Sequence, residues 1–415
     1  SGFRADIQGL RAVAVGAVLA YHAGLPFVSG GFVGVDVFFV ISGFLITGHL
    51  LRERDRTGRV SLVGFYARRV RRILPAALVV AVLTLVAATL VLPATRLAEI
   101  ARDGLASVLF VPNVWFGVKA DDYLAGDASS PFLHYWSLGV EEQFYLIWPA
   151  LILALLAVRR RSVLVVGLWV VFAASFVVCL VSMAWSPTWT FYSLHTRAWE
   201  FAAGALVAVF LARRAATDDP IPGEDPRSGW LGAVVGWVGL AAIVGATFVL
   251  GDGSAFPGPW AIVPVVGTAL VIAAPRLGDR YGPRLLLTLA PLRFLGLISF
   301  SLYLIHWPAL ELVREGAGLD RLPVRVAVLI SLTAIALAAL SYRFVERPFT
   351  TRAPRRRRIT LGAGAVATVL AVGVSLGVGA VPGLLPTDDG RVAPTADGAT
   401  PFVPSDLIPA LSEAE

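Results

Sequence analysis

The sequence predicts an all-α, polytopic transmembrane helical bundle with a ten-span core and an eleventh span, and three observations predict it. Of the 415 residues, 57% are hydrophobic and 15% are charged, whereas soluble domains run nearer ~25% charged. The apolar residues fall in long uninterrupted blocks, and a helix needs about 20 such residues to cross a bilayer. The net charge of +7 gathers at the ends of these blocks. That is the pattern of membrane topology and not of a nucleic-acid-binding surface.

Taken in order, the apolar blocks are 8–25, 32–51, 73–92, 137–157, 162–185, 196–212, 229–250, 260–275, 294–313, 324–345 and 360–381. The weakest are 196–212 and 260–275, which carries Pro264. The stretch 104–117 is apolar but short and reads as a re-entrant or interfacial segment. Loop charge then sets orientation. The loop 52–72 holds Arg52, Arg54, Arg56, Arg59, Arg68, Arg69, Arg71 and Arg72. Further basic loops carry Arg159 to Arg161, then Arg213, Arg214 and Arg227, then Arg276, Arg280, Arg284 and Arg293, then Arg347, Arg352 and Arg355 to Arg358. The alternate loops are poor in base: 26–31 is uncharged and 118–135 carries Asp121, Asp122 and Asp127. The excess of arginine marks the cytoplasmic side, so the N-terminus is expected inside and, with an odd number of spans, the C-terminus outside. The expected organisation is a transmembrane domain over 1–350, a basic cytoplasmic linker with the eleventh helix over 351–381, and a polar extracytoplasmic linker over 382–415.

Cys179 is the sole cysteine and lies in an apolar block, so neither an internal disulfide nor a cysteine metal site is expected. Lys119 is the sole lysine among many arginines, and Ala, Val and Gly abound. That is the composition of a GC-rich bacterial genome, which places the expected membrane in a bacterial cell. No HExxH, Walker A or Rossmann GxGxxG pattern is present, and the GxSxG match at Gly373–Gly377 falls inside the eleventh apolar block, not at a strand-to-helix turn. An intramembrane zinc protease, an ATPase and an α/β-hydrolase are therefore disfavoured, and no metal is expected.

Ionisable residues inside apolar spans are costly and stand as functional hypotheses. Arg11 and His22 lie eleven residues apart in the first span. That is about three turns, so both share one stripe, separated by roughly 16 Å. Arg11 falls toward the cytoplasm and His22 in the outer half. The bland alternative is a snorkelling arginine and a packing histidine. Asp36 opens the second span at a depth similar to His22, where an acid can fix a histidine tautomer and raise its basicity; alternatively it caps the helix. Glu141 and Glu142 are adjacent near the outer end of the fourth span, pointing about 100° apart, so at least one faces the bundle interior. Arg197 and Glu200 are spaced to pair with each other. His306 also reaches the outer half, while His49 suits a wet cytoplasmic interface. The cluster Arg68, Arg69, Arg71 and Arg72 suits phosphate through bidentate hydrogen bonds, or else anchors topology.

These residues sit in segments whose order and spacing resemble the membrane acyltransferase family 3. The segments are "FRADIQGLRAVAVGAVLAYH", "GGFVGVDVFFVISGFLIT", "FYARRVRRILPA", "FLHYWSLGVEEQFYLIWP", "FYSLHTRAWEFAAGALVA", "SFSLYLIHWP" and "SYRFVERPF", and the resemblance covers about 1–350. It implies O-acylation of bacterial surface glycans. The family's Arg-x10-His pair falls on Arg11 and His22, and its acidic residue on Glu141. Acyl-CoA, acetyl-CoA foremost, is the implied cytoplasmic donor, its phosphates near Arg68 to Arg72 and Arg11. His22 is the implied base or acyl acceptor, oriented by Asp36, with Glu141 or Glu142 placing the acceptor. The implied partners are a glycan or glycolipid hydroxyl outside and the membrane lipids, with no nucleic acid. The eleventh span and the Pro-rich tail resemble the subgroup fused to an extracytoplasmic SGNH esterase domain. No Gly-Asp-Ser nucleophile block follows that span, so the native gene is expected to continue past Glu415. A secondary transporter, or an exporter handing the acyl group to a separate domain, is the alternative class.

Overall fold

The computed structural model describes residues 4–121, 129–158, 161–216, 230–251, 253–276, 281–351 and 357–384. Asp122, Asp127, Arg159, Arg160, Arg227, Arg280, Arg352, Arg355, Arg356 and the linker from 385 onward lie outside them. All regular structure among the described residues is helical: α1 (Ala5–His22), α2 (Gly34–Thr57), α3 (Leu62–Val91), α4 (Ala94–Val108), α5 (Pro112–Asp121), α6 (Tyr135–Ala157), α7 (Arg161–Met183), α8 (Pro187–Tyr192), α9 (Leu194–Ala216), α10 (Trp230–Val249), α11 (Ile262–Ala273), α12 (Arg284–Leu287), α13 (Ala290–Gly316), α14 (Val324–Ser341), α15 (Arg347–Thr351) and α16 (Arg357–Leu384). A π-helical turn, Tyr342–Glu346, joins α14 to α15.

Eight of the described helices are long and apolar enough to cross a membrane, and the chain is a multi-pass membrane protein. Each of the eleven apolar blocks is helical, but α1, α9 and α11 stand outside the eight. Polar residues interrupt α1 (Asp6, Arg11, His22) and α9 (Arg197, Glu200), and α11 has only 12 residues. The stretch 104–117 is neither loop nor single segment. It ends α4, turns through Phe110 at φ 57° and begins α5.

The segment 52–72 departs furthest from expectation. It is not a loop: α2 runs on to Thr57, Gly58 closes it at φ 70°, and α3 begins at Leu62 with Ser61 accepting from the Gly64 amide at 3.1 Å. A left-handed glycine and a serine N-cap are strong local stop and start signals. The connection is therefore only 58–61, and the four arginines are helical.

Helices that carry the polar residues cross closely, and glycine makes this possible. A Cβ on Gly43 of α2 would lie 2.0 Å from the Phe201 carbonyl oxygen of α9, and one on Gly204 of α9 would lie 2.0 Å from that of Val40. Gly296 brings α13 equally tight onto Gln8 of α1. Without a hydrophobic drive between helices in lipid, such small-residue contacts let backbones pack. The central core gathers residues of α2, α3, α6 and α9 around Phe39, Phe65, Phe144 and Phe201.

Candidate active site

Two cavities of the bundle are lined by α1, which carries Arg11 into one and Tyr21 and His22 into the other; they are named inner and outer after the orientation expected from the loop arginines. The inner cavity is lined by Arg11 of α1, Ser42 of α2, Arg69 and Arg72 of α3, Glu141 and Tyr145 of α6, and Tyr303 of α13. Arg69 and Arg72 share a face of α3 because they are three residues apart. The Arg69 guanidinium lies over the Tyr145 ring at 4.7 Å and the Phe65 ring at 5.6 Å. Glu141 accepts hydrogen bonds from Ser42 and Tyr145, whose hydroxyls are 3.1 Å apart. The side-chain bond of Arg11 is a long one, 3.5 Å, to Gln8. Three guanidiniums thus face the cavity with Glu141 as the carboxylate among its lining groups. That surplus suits a phosphate-bearing ligand.

The other two arginines of the quartet turn elsewhere. Arg68 pairs with Glu53 at 2.8 Å. Arg71 lines an apolar groove between α3 and α16. The expectation that all four gather at one site is corrected: 71 and 68 both fall to one side of the face that 69 and 72 present, and Glu53 holds Arg68 there.

The outer cavity is lined by His22, Tyr21, Phe32, His134, Trp136, Tyr192, Tyr303 and Trp307, among others. His22 Nδ1 lies 2.9 Å from His306 Nε2, and the His22 ring packs on Trp307 at 4.5 Å between centroids. His134 donates from Nε2 to the Leu304 carbonyl at 3.0 Å. That carbonyl lacks its usual helical donor because Pro308, four residues on, has no N–H. Tyr303 lines both cavities, its hydroxyl 2.6 Å from Ser137 Oγ and donating to the His134 carbonyl at 3.1 Å.

Asp36 does not orient His22. It is fully buried and pairs with Arg197 at 3.3 Å, and Arg197 pairs with Glu200 at 3.1 Å. The rings of Phe39, Trp136, Phe191 and Phe256 surround the guanidinium at 5.5–5.8 Å. The cause is the close α2–α9 crossing, which turns the first turn of α2 toward Arg197. Glu141 likewise belongs to the inner cavity rather than beside His22. It lies six residues into α6, about 9 Å along the helix. Glu142 lines neither cavity, and its Oε1 is buried without a hydrogen-bond partner among the described residues. His49 makes an interfacial pair with Glu53 at 3.7 Å. His134 went unread in the sequence, although a histidine directly before an apolar span was signal enough. Among the described residues no group of three or more His, Cys, Asp or Glu side chains could hold a metal ion.

A family model described as an acyltransferase domain, the acyltransferase 3 type, matches residues 4–343. Among curated proteins, the chain is similar to O-acetyltransferase OatA of Staphylococcus aureus strain NCTC 8325, with 30% identity over 352 residues. That alignment covers 82% of this chain and 56% of the relative. A second Staphylococcus aureus protein, from strain COL and provisionally named an O-acetyltransferase, is 31% identical over 350 residues, 83% of this chain and 56% of its own length. The chain thus spans about half the length of the curated relatives it matches. No solved structure matches it.

Proposed function

The chain belongs to the acyltransferase 3 family, and on that premise we propose that it moves an acyl group, acetyl foremost, from cytoplasmic acyl-CoA to a hydroxyl of an extracytoplasmic glycan or glycolipid. The observation that carries this reading is the division of one helix between two cavities. Arg11 opens into a cationic cavity, His22 into one lined by imidazole and aromatic rings, and Tyr303 borders both. Their separation along α1, roughly 16 Å, suits a donor with an anionic head at one end and a thioester at the other.

In this reading Arg11, Arg69 and Arg72 hold the phosphates of the donor. Glu141, held by Ser42 and Tyr145, offsets one of the three positive charges and so limits how tightly the spent donor is retained. The pantetheine arm passes Tyr303 and delivers the thioester to the outer cavity. There the acceptor hydroxyl oxygen bonds the carbonyl carbon while His22 takes its proton. The carbon–sulfur bond breaks, and the departing thiolate takes up one proton to leave as free thiol. The relatives' names carry O-acetyltransfer, which supports the reaction class and the acetyl group.

The test uses membrane vesicles of both orientations that contain the chain. Acetyl-labelled CoA supplied on the cytoplasmic face should yield ester-linked label on lipid or glycan, and the same donor supplied on the outer face should not. Label that crosses the membrane without entering an ester would instead favour a transporter.

A further inference from the structure

We propose that His306 is a positioning residue that fixes the tautomer of His22, so that the lone pair facing the outer cavity is on His22 Nε2. The consequence for catalysis rests on the acyl-transfer reading above; the tautomer itself does not.

Two hydrogen bonds set the protons. His306 Nδ1 lies 3.1 Å from the carbonyl oxygen of Leu302, one turn back on α13. A carbonyl oxygen only accepts, so His306 Nδ1 carries a proton. In a neutral imidazole the other nitrogen is then an acceptor. That nitrogen, His306 Nε2, lies 2.9 Å from His22 Nδ1. Two lone pairs do not bond, so His22 Nδ1 is the donor and His22 Nε2 is left bare. The opposite arrangement needs a second proton on His306. The groups facing the two rings are His134, Tyr303, Tyr21 and Trp307, and the described residues put no carboxylate in contact with either. An imidazolium there would lack a counter-charge.

His134 does not compete for the role. Its Nε2 is committed to the Leu304 carbonyl, and its ring stands 5.9 Å from that of His306. His22 Nε2 has no protein partner among the described residues, and His22 lines the outer cavity. The ring is held in plane by the His306 bond and by packing on Trp307. A hydroxyl that enters the cavity therefore meets a fixed acceptor nitrogen, and the helix carbonyl of Leu302 is the origin of that polarity. The tautomer of a base is set by the bond its other nitrogen makes.

The experiment is nitrogen-15 NMR of the full chain, histidine-labelled, in nanodiscs. The sequence has five histidines, and single substitutions assign them. In the unmodified chain His22 should be protonated at Nδ1 and bare at Nε2. His306→Gln keeps an accepting oxygen and should keep that tautomer, whereas His306→Leu removes the acceptor and should shift His22 toward Nε2–H. Acetyl transfer should fall at least about tenfold in His306→Leu, with Gln restoring most of it and acetyl-CoA affinity unchanged in both. An Nε2–H tautomer of His22 in the unmodified chain overturns the proposal whether or not the Leu variant folds. So does a His22 tautomer indifferent to His306→Leu. If the tautomer shifts as expected while ester formation is absent from every form, the tautomer inference stands and the acyl-transfer reading falls.

Discussion

His22 is the last residue of α1 and the only polar side chain of that helix to line the outer cavity apart from Tyr21. A general base contributes about 10²–10⁴-fold to a rate. His22→Gln keeps size and hydrogen bonding but cannot accept a proton near neutral pH. Glycan acetylation by the cell, followed by mass spectrometry, should therefore drop at least about 100-fold. Acyl-CoA binding should persist, because the cationic cavity lies three turns away. Near-normal acetylation in this variant would make His22 a structural residue and move the base elsewhere, His134 Nδ1 being buried with no donor of its own among the described residues. The pairing of Arg11 with His22 was legible in sequence because helical periodicity is a local property. The partner of His22 was not, since His306 is 284 residues away.

At the scale of elements, α3 sorts its four arginines by face. Arg69 and Arg72 line the inner cavity, while Arg68 and Arg71 do not. A hydrogen bond to a charged group contributes about 1.5–3 kcal/mol. The double variant Arg69→Ala, Arg72→Ala should therefore weaken acyl-CoA binding by well over tenfold in an equilibrium titration. Arg68→Ala with Arg71→Ala should leave it nearly unchanged, and equal losses from the two pairs would return the whole cluster to topology anchoring. The α2–α9 pair supplies a stability test. Arg197 is buried between Asp36 and Glu200, and removing one partner of a buried charge group costs about 3–5 kcal/mol. Arg197→Ala should lower the thermal midpoint in detergent sharply. Combining it with Asp36→Asn and Glu200→Gln should recover part of the loss, and a midpoint unmoved by Arg197→Ala would mean the cluster holds nothing together.

For the whole molecule, the site depends on which face is cytoplasmic. The proposed orientation places the 58–61 connection inside and the turn after α13 outside. A cysteine at Gly318 should react with an impermeant thiol reagent on intact cells and one at Gly58 should not, the native Cys179 being buried. The reverse pattern would put the cationic cavity outside and remove its access to cytoplasmic donor. Both positions have positive φ, 62° and 70°, so each variant carries similar backbone strain, and labelling differences report side rather than folding.

What the sequence by itself determined is the class of molecule. Span length, apolar blocks and loop arginines are local quantities, and in a bilayer they leave helices as the way to satisfy the backbone. Hence the bundle and the order of its long apolar helices were readable along the chain. Tertiary structure decided the partners. Asp36 faces Arg197 instead of His22 because Gly43 and Gly204 let two helices nearly touch. Glu141 joins Arg11 because α6 enters the bundle two turns before it. His22 meets His306 because Gly296 seats α13 against α1. Each is a contact between helices far apart in sequence, and periodicity along one helix carries no information about the rotation of the next.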